Sequence, residues 1–190
     1  MKQFTRSPSF YVVFFIASAA VHYLLISADL YGLAENTAHM HVFMPPSPSE
    51  TATPPATGPL IFSYYKPFES LFNTPLTGFN AGSALLAATF TVVLLRAIAG
   101  LHGSSPGLYV AGVWSIISPG TVLLAARQPH VLLSIIFLLL MYHALLRQKT
   151  FLVILFILHL FLTHQLFGWI SLLLLATYAG INKKRAIRYH

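Results

Sequence analysis

Residues 119–180 form the apolar stretch that most constrains how this chain can fold. The stretch reads PGTVLLAARQPHVLLSIIFLLLMYHALLRQKTFLVILFILHLFLTHQLFGWISLLLLATYAG, with Arg127, Arg147 and Lys149 as its only charged side chains. A helical crossing of a bilayer takes about 20 apolar residues, and the two charged breaks leave two apolar runs, residues 128–146 and 150–180, that are each long enough for at least one crossing. Soluble domains average about 25% charged residues, whereas this chain has 8%. The pattern therefore predicts a polytopic membrane protein.

The whole chain fits one membrane bundle. Its 190 residues leave no room for a second globular domain beside four to six crossings. We therefore predict an all-α, polytopic transmembrane helical bundle of five to six membrane segments, with one domain over residues 1–190. The absence of cysteine excludes disulfides, thiolate metal sites and thiol nucleophiles. The net charge of +7 comes from basic residues at the ends of apolar runs, as the positive-inside rule expects, and does not indicate a nucleic-acid partner.

The first third of the chain changes from an apolar span to a polar loop. Residues 10–27 are predicted to be a retained first span and not a cleaved signal peptide, because the apolar run is long and has no small-residue cleavage site at its end. Residues 28–77 carry all four acidic residues and most of the prolines, which predicts a long lumenal loop on the side away from the positive charges. Within it, LIFSYYKPFESLF suits an interfacial helix or, alternatively, a loop buried against the bundle.

The middle of the chain predicts three further spans. An alanine-rich span follows Pro75, and its small residues would allow a neighbouring helix to approach closely. The third span, residues 108–126, is interrupted by Ser118-Pro119, which predicts a broken helix. The break could form a lipid or ligand pocket or be a simple packing kink. A fourth span begins after Pro129, which is well placed at a helix start.

Residues 150–180 are too long for one upright span, and a single crossing would leave the basic tail on the wrong side. We predict a short-helix hairpin that turns at residues 164–169 and returns residues 181–190 to the cytosol as a basic tail. One long tilted helix is the alternative.

The nine histidines raise the question of a metal or haem. Two imidazoles at equal depth on facing helices are needed for bis-histidine haem b, and the candidates are His22, His143 and His159. In a hairpin turning near Lys149, the latter two would miss each other by about 6 Å of helical rise. A neutral histidine bonded to a backbone carbonyl of a neighbouring helix is the simpler reading of His22. We predict no metal and no cofactor, with haem as the alternative. Motifs of hydrolases, zinc proteases and nucleotide-binding enzymes are absent from the sequence, so we predict a protein that is not an enzyme.

Several motifs together resemble a known family. Residues 72–76 (FNTPL) precede the alanine-rich span, Ser118-Pro119 precedes residues 126–146 (ARQPHVLLSIIFLLLMYHALL), and LHLFLTHQLFGW forms the expected hairpin turn. This order resembles the N-terminal half of the U subunit of GPI transamidase, which is in turn similar to the polytopic GPI mannosyltransferases. Gly168 stands where that family tends to carry proline. The chain is also about half as long as the family's proteins, and it lacks their paired loop acids, since Asp29 and Glu35 stand six apart.

The resemblance implies a non-catalytic role in the endoplasmic reticulum membrane. It implies a multi-pass subunit that scaffolds a larger complex and binds lipid, such as a GPI precursor, with other membrane-protein subunits as partners. The expected lipid-binding residues are Ser118, Pro119, His164, Gln165 and Trp169. The alternative is a small hydrophobic subunit of a mitochondrial inner-membrane complex that anchors haem or quinone.

Overall fold

The computed structural model describes residues 7–28, 59–72, 74–103 and 106–188, and all regular structure in this part is α-helical. The expected lumenal loop lies mostly outside the described residues, as do the side chains of the basic tail. The helices are α1 (Pro8–Ser27), α2 (Pro59–Leu71), α3 (Pro75–His102), α4 (Pro106–Ile117), α5 (Pro119–Arg127), α6 (Pro129–Leu146), α7 (Thr150–Thr163) and α8 (Gln165–Arg188).

Three of these helices, α1, α3 and α6, are long and apolar enough to cross a membrane, and the bent pair α4–α5 makes a fourth candidate. The two hairpin helices α7 and α8 have shorter apolar segments. These helices indicate an integral membrane protein. The prediction of an all-α bundle is confirmed for the described residues. Of the five to six predicted membrane segments, three or four have the length and composition of a full crossing.

Proline marks the start of each of the first six helices. Its fixed φ suits the first helical turn, where its missing N–H would have no helical partner anyway. Polar side chains complete two of these starts: Ser7 Oγ accepts from the backbone N–H of Phe10 at 3.4 Å, and Thr74 Oγ1 accepts from that of Thr77 at 3.2 Å. The helix boundaries thus follow from local chemistry.

The predicted break at Ser118-Pro119 is confirmed as a 49° bend between α4 and α5. Ser118 itself is extended, with φ −66° and ψ 121°. Its N–H donates to the carbonyl of Trp114 at 2.9 Å, and its own carbonyl accepts from Thr121 at 3.1 Å. The chain therefore supplies hydrogen bonds for the backbone at the bend, as a packing kink requires.

Residues 150–188 form two helices, so the alternative of one long helix is wrong. Leu175, Tyr178 and Ala179 of α8 line the same cavity as Thr150 and Val153 of α7, which makes the pair an antiparallel hairpin. The predicted turn at 164–169 is too long, because His164 alone separates the helices and α8 begins at Gln165.

Helix α3 is the centre of the bundle and packs against α1, α2, α4, α5 and α6. Its small residues Gly82, Ala84, Ala87 and Ala88 are buried, as expected of a closely approached membrane helix. A β-carbon on Gly82 would lie 2.6 Å from Cε1 of Tyr65 in α2. Position 82 therefore requires glycine while the Tyr65 ring packs against it.

Helix α2 has the amphipathic character predicted for an interfacial helix. Ile61 and Tyr65 are buried, whereas Lys66 and Ser70 are exposed. The Tyr64 hydroxyl donates to the Gly82 carbonyl at 2.9 Å, and the hydroxyls of Tyr65 and Ser83 lie 2.8 Å apart. Burial raises the pKa of both tyrosines, so the phenols remain neutral donors at ordinary pH. The segment is a helix docked on α3 and not a buried loop.

Candidate functional site

The tip of the α7–α8 hairpin gathers three of the predicted site residues. His164 is the one non-helical residue between the two helices, and its N–H donates to the carbonyl of Leu160 at 2.8 Å. Gln165 opens α8, and the Gly168 N–H donates to the His164 carbonyl at 3.2 Å. Trp169 lies one turn further along α8. The tip therefore combines an imidazole, an amide and an indole within six consecutive residues.

The His164 ring stacks on a second imidazole. Its plane is within 8° of parallel to that of His130, with the ring centroids 5.6 Å apart, and the ring of Phe167 meets it edge-on. His164 Nδ1 is buried and has no hydrogen-bond partner within the described part of the chain. A buried polar atom without a partner costs about 1–3 kcal/mol, so a bound polar group that reached Nδ1 would stabilise the tip.

Gln165 and Trp169 face outward from the same tip. Gln165 is exposed, and Trp169 is 64% exposed while its ring packs edge-on against Phe161 at 5.4 Å. Tryptophan is enriched where the apolar and polar layers of a membrane meet. Ser118 and Pro119 belong to a different place in the fold, since their helices α4 and α5 pack mainly against α1, α3 and α6. The five predicted lipid-binding residues thus lie in two groups.

A second polar cluster lies inside the bundle around His22, which is fully buried. His22 Nδ1 lies 2.8 Å from the carbonyl oxygen of Ser18. Because a carbonyl only accepts, Nδ1 carries the proton, and the neutral ring keeps its lone pair on Nε2. Nε2 is buried and has no partner among the described residues.

Hydroxyl groups extend this cluster across three helices, α1, α3 and α4. Ser18 Oγ lies 3.1 Å from Thr91 Oγ1, and Thr91 Oγ1 lies 3.2 Å from Ser115 Oγ. The Ser115 hydroxyl also lies 2.9 Å from the Gly112 carbonyl. Hydrogen bonds between helices contribute to association in a membrane, where apolar side chains gain little by leaving lipid. The cluster therefore connects the first three spans, counting the bent pair α4–α5 as one.

The other two haem candidates lie elsewhere. His159 Nδ1 donates to the Leu155 carbonyl at 2.7 Å, and its ring packs on Phe137 at 5.1 Å. His143 is half-buried on α6, beside the cations Arg96 and Arg147. The described residues contain no group of three or more potential metal ligands. The structure does not bring His22 and His159 onto facing helices, because α1 and α7 have different main neighbours.

Sequence reasoning missed His130 and the Thr91–Ser115 bridge. His130 was visible only as part of the turn ARQPH, and nothing in that turn indicates a partner 34 positions away. The Ser18–His22 pair did have a local signal, because residues at i and i+4 share one face of a helix. Comparison with protein-family models, with curated proteins and with solved structures finds no match to this chain.

Proposed function

We propose that this protein is a non-catalytic, multi-pass subunit of a membrane complex that binds a lipid headgroup at the tip of the α7–α8 hairpin. The observation that carries the proposal is a polar tip on a hairpin too short for a whole bilayer. The sequence resemblance adds the identity of the assembly: a GPI-transamidase-like complex of the endoplasmic reticulum membrane, with a GPI-type lipid as ligand.

The two hairpin helices are shorter than the hydrocarbon core of a bilayer. Helix α7 has 14 residues, which gives it about 21 Å at a rise of 1.5 Å per residue. The apolar part of α8, Gln165–Gly180, gives about 24 Å. A hydrocarbon core is about 30 Å thick, so either the bilayer thins at this hairpin or its tip remains below the surface. Thinning is the favoured arrangement because a polar tip is costly in hydrocarbon, and it brings the lipid headgroups to the tip.

The chemistry of the tip suits a hydroxyl-rich or phosphate-containing headgroup. The buried Nδ1 of His164 offers one unused hydrogen-bonding atom, and Gln165 offers an exposed amide. The exposed face of Trp169 supplies a flat apolar surface on which a sugar ring or the glycerol region could rest. The remaining spans would then serve as the scaffold for partner subunits.

The test is purification of the full chain from its native membrane in mild detergent, with mass spectrometry of the associated proteins and lipids. We expect membrane-protein subunits together with a GPI-type lipid. His164→Ala and Trp169→Ala should each lower the recovered lipid about fivefold, the equivalent of one hydrogen bond or ring contact, while the subunits remain.

Leu173→Ala is the matched control, because Leu173 is 69% exposed and lies one turn beyond Trp169 on the same helix. It should leave lipid recovery unchanged. Equal lipid recovery from Trp169→Ala and Leu173→Ala would contradict a site at the tip, and the absence of partner subunits would contradict the scaffold role.

The geometry of His22 favours a second candidate, a haem or quinone anchor in a mitochondrial inner-membrane complex. A histidine that binds a metal through Nε2 usually donates its Nδ1–H to an oxygen acceptor, and His22 has this arrangement. The unpartnered Nε2 could equally accept from a ligand hydroxyl. Since α1 packs against α3, α4 and α5 and not against the helices of His143 and His159, a second axial imidazole would come from a partner subunit.

An absorbance spectrum of the protein purified from its native membrane tests this candidate. A haem anchor should show a Soret band of bis-histidine type, and His22→Ala should abolish it, because the iron would lose an axial ligand. His130→Ala, a change at the hairpin tip, should leave the band intact. A spectrum without a Soret band would remove the haem form of this candidate.

A further inference from the structure

A cavity of about 250 Å³ lies at the other end of the hairpin, where α6 ends and α7 begins. Its walls are apolar and come from all three helices, including Leu145, Val153 and Leu175, while Lys149 and Tyr178 add polar groups. Pockets for whole drug-sized ligands measure about 300–1,000 Å³. This cavity therefore has room for part of a molecule, such as a segment of one acyl chain.

The backbone fixes the position of Lys149 at this cavity. Its N–H donates to the Ala144 carbonyl at 2.9 Å, and its carbonyl accepts from the N–H of Val153 at 3.1 Å. The preceding residue, Gln148, has a left-handed φ of 55°, which turns the chain sharply between the two helices. The Lys149 side chain is exposed, so its ammonium group is available beside an apolar cavity.

The charge at this end of the bundle is uniformly positive within the described residues. Arg147 lies two residues before Lys149 in sequence, and Arg96 reaches the same end from α3, where its guanidinium lies 5.0 Å from the ring centroid of Tyr11. All four acidic residues fall between positions 29 and 69, and α2, which carries the last of them, packs near the opposite end of α3. No described carboxylate neutralises Lys149.

We propose that this cavity binds an anionic phospholipid of the cytosolic leaflet, with its phosphate on Lys149 and the start of one acyl chain between α7 and α8. Charge complementarity selects the occupant, because the described residues of this site offer a cation and no anion beside an apolar cavity. The first N–H groups of α7 add favourable partial charge, since no side chain caps that helix. The site is separate from the hairpin tip and does not depend on the function proposed there.

Native mass spectrometry of the full chain in detergent tests this site with two lipids of identical acyl chains, dioleoyl phosphatidylglycerol and dioleoyl phosphatidylcholine. We expect tighter binding of phosphatidylglycerol. Lys149→Gln should reduce that preference about fivefold, as expected for one lysine at an anionic surface, and Lys149→Arg should keep most of it. Lys66→Gln removes an exposed lysine near the opposite end and should change nothing.

A second pair of variants tests the cavity itself. Ala179 lines it, whereas Ala176 is also exposed on α8 but does not. Ala179→Phe should fill the cavity and weaken phosphatidylglycerol binding severalfold, and Ala176→Phe should not. Soluble glycerol phosphate should fail to displace the lipid.

Three results would overturn the proposal. The first is an unchanged preference for phosphatidylglycerol in Lys149→Gln, as expected for Lys66→Gln. The second is equal phosphatidylglycerol binding by Ala179→Phe and Ala176→Phe, which would show that the lipid is attracted to a charged surface and does not enter the cavity. The third is displacement by glycerol phosphate, which would indicate a site for free phosphate. Because every substituted side chain is exposed, misfolding should not obscure these outcomes.

Discussion

Replacing Gly168 by alanine is expected to destabilise the hairpin by about 1–2 kcal/mol, although alanine is the better helix former. A β-carbon at this position would lie 2.5–2.7 Å from three ring carbons of Phe161, including Cγ at the base of the ring. Because three ring carbons are this close, a methyl group here should cost about 2–3 kcal/mol, the upper part of the range for overpacking. The gain in helix propensity is about 1 kcal/mol, so the steric term is larger. Thermal unfolding in detergent should show a midpoint lower by about 2–8 °C.

Gly180→Ala is the matched control for this substitution. Gly180 lies in the same helix, and a β-carbon there would meet no atom within 4 Å. It should therefore leave the midpoint unchanged or raise it. Adding Phe161→Ala to Gly168→Ala should recover part of the loss, because the two residues share one contact. Equal midpoints for Gly168→Ala and Gly180→Ala would contradict the close contact between α7 and α8 at Gly168.

Replacing Thr91 by valine is expected to cost about 1–2 kcal/mol, although the two side chains have nearly the same shape. The Thr91 hydroxyl lies within hydrogen-bond distance of both Ser18 and Ser115, and Thr91 is fully buried. Hydrogen bonds between membrane helices average about 0.6 kcal/mol and reach about 1.7 kcal/mol. Two are lost here, and the Ser18 hydroxyl loses its contact with α3. Unfolding in detergent by added denaturant measures the loss.

Thr89→Val provides the comparison on the same helix. The Thr89 hydroxyl donates to the carbonyl of Leu85 one turn back, at 2.8 Å, and makes no bridge to another helix. Such a bond within a helix adds little or even destabilises it slightly, so this variant should match the wild type. If the two variants lose equal stability, the hydroxyl bridge between α1, α3 and α4 contributes nothing, and only side-chain shape matters at these positions.

Much of the fold could be predicted from the sequence because it depends on neighbouring residues. Proline at a first helical position sets the start of α6, and Ser118-Pro119 breaks a span, because each acts on its own backbone. The hairpin was predictable for a different reason: residues 150–180 are too long for one crossing, and the basic tail favours a return to the positive side. The length of the turn was not predictable, since it depends on how Phe161 packs on α8.

The candidate site was only partly predictable. His164, Gln165 and Trp169 follow one another closely in sequence, so any turn between residues 164 and 169 would place them near one another. The stacking of His164 on His130 depends instead on the rotation of α6 about its axis. Sequence periodicity does not fix that rotation here, because the helices are apolar on nearly all faces.

Composition and local pattern were enough to predict a helical membrane protein with a broken span, a hairpin over residues 150–180 and positive charge toward one side. Those properties follow from the thickness of a bilayer, the missing N–H of proline and the charge of each loop. The packing of the helices is what brings Ser18 to Thr91, 73 positions away, and places Lys149 beside an apolar cavity. The packing of α7 on α8 also places the Phe161 ring against Gly168. Such contacts depend on how helices rotate and approach one another, and no single stretch of sequence contains that information.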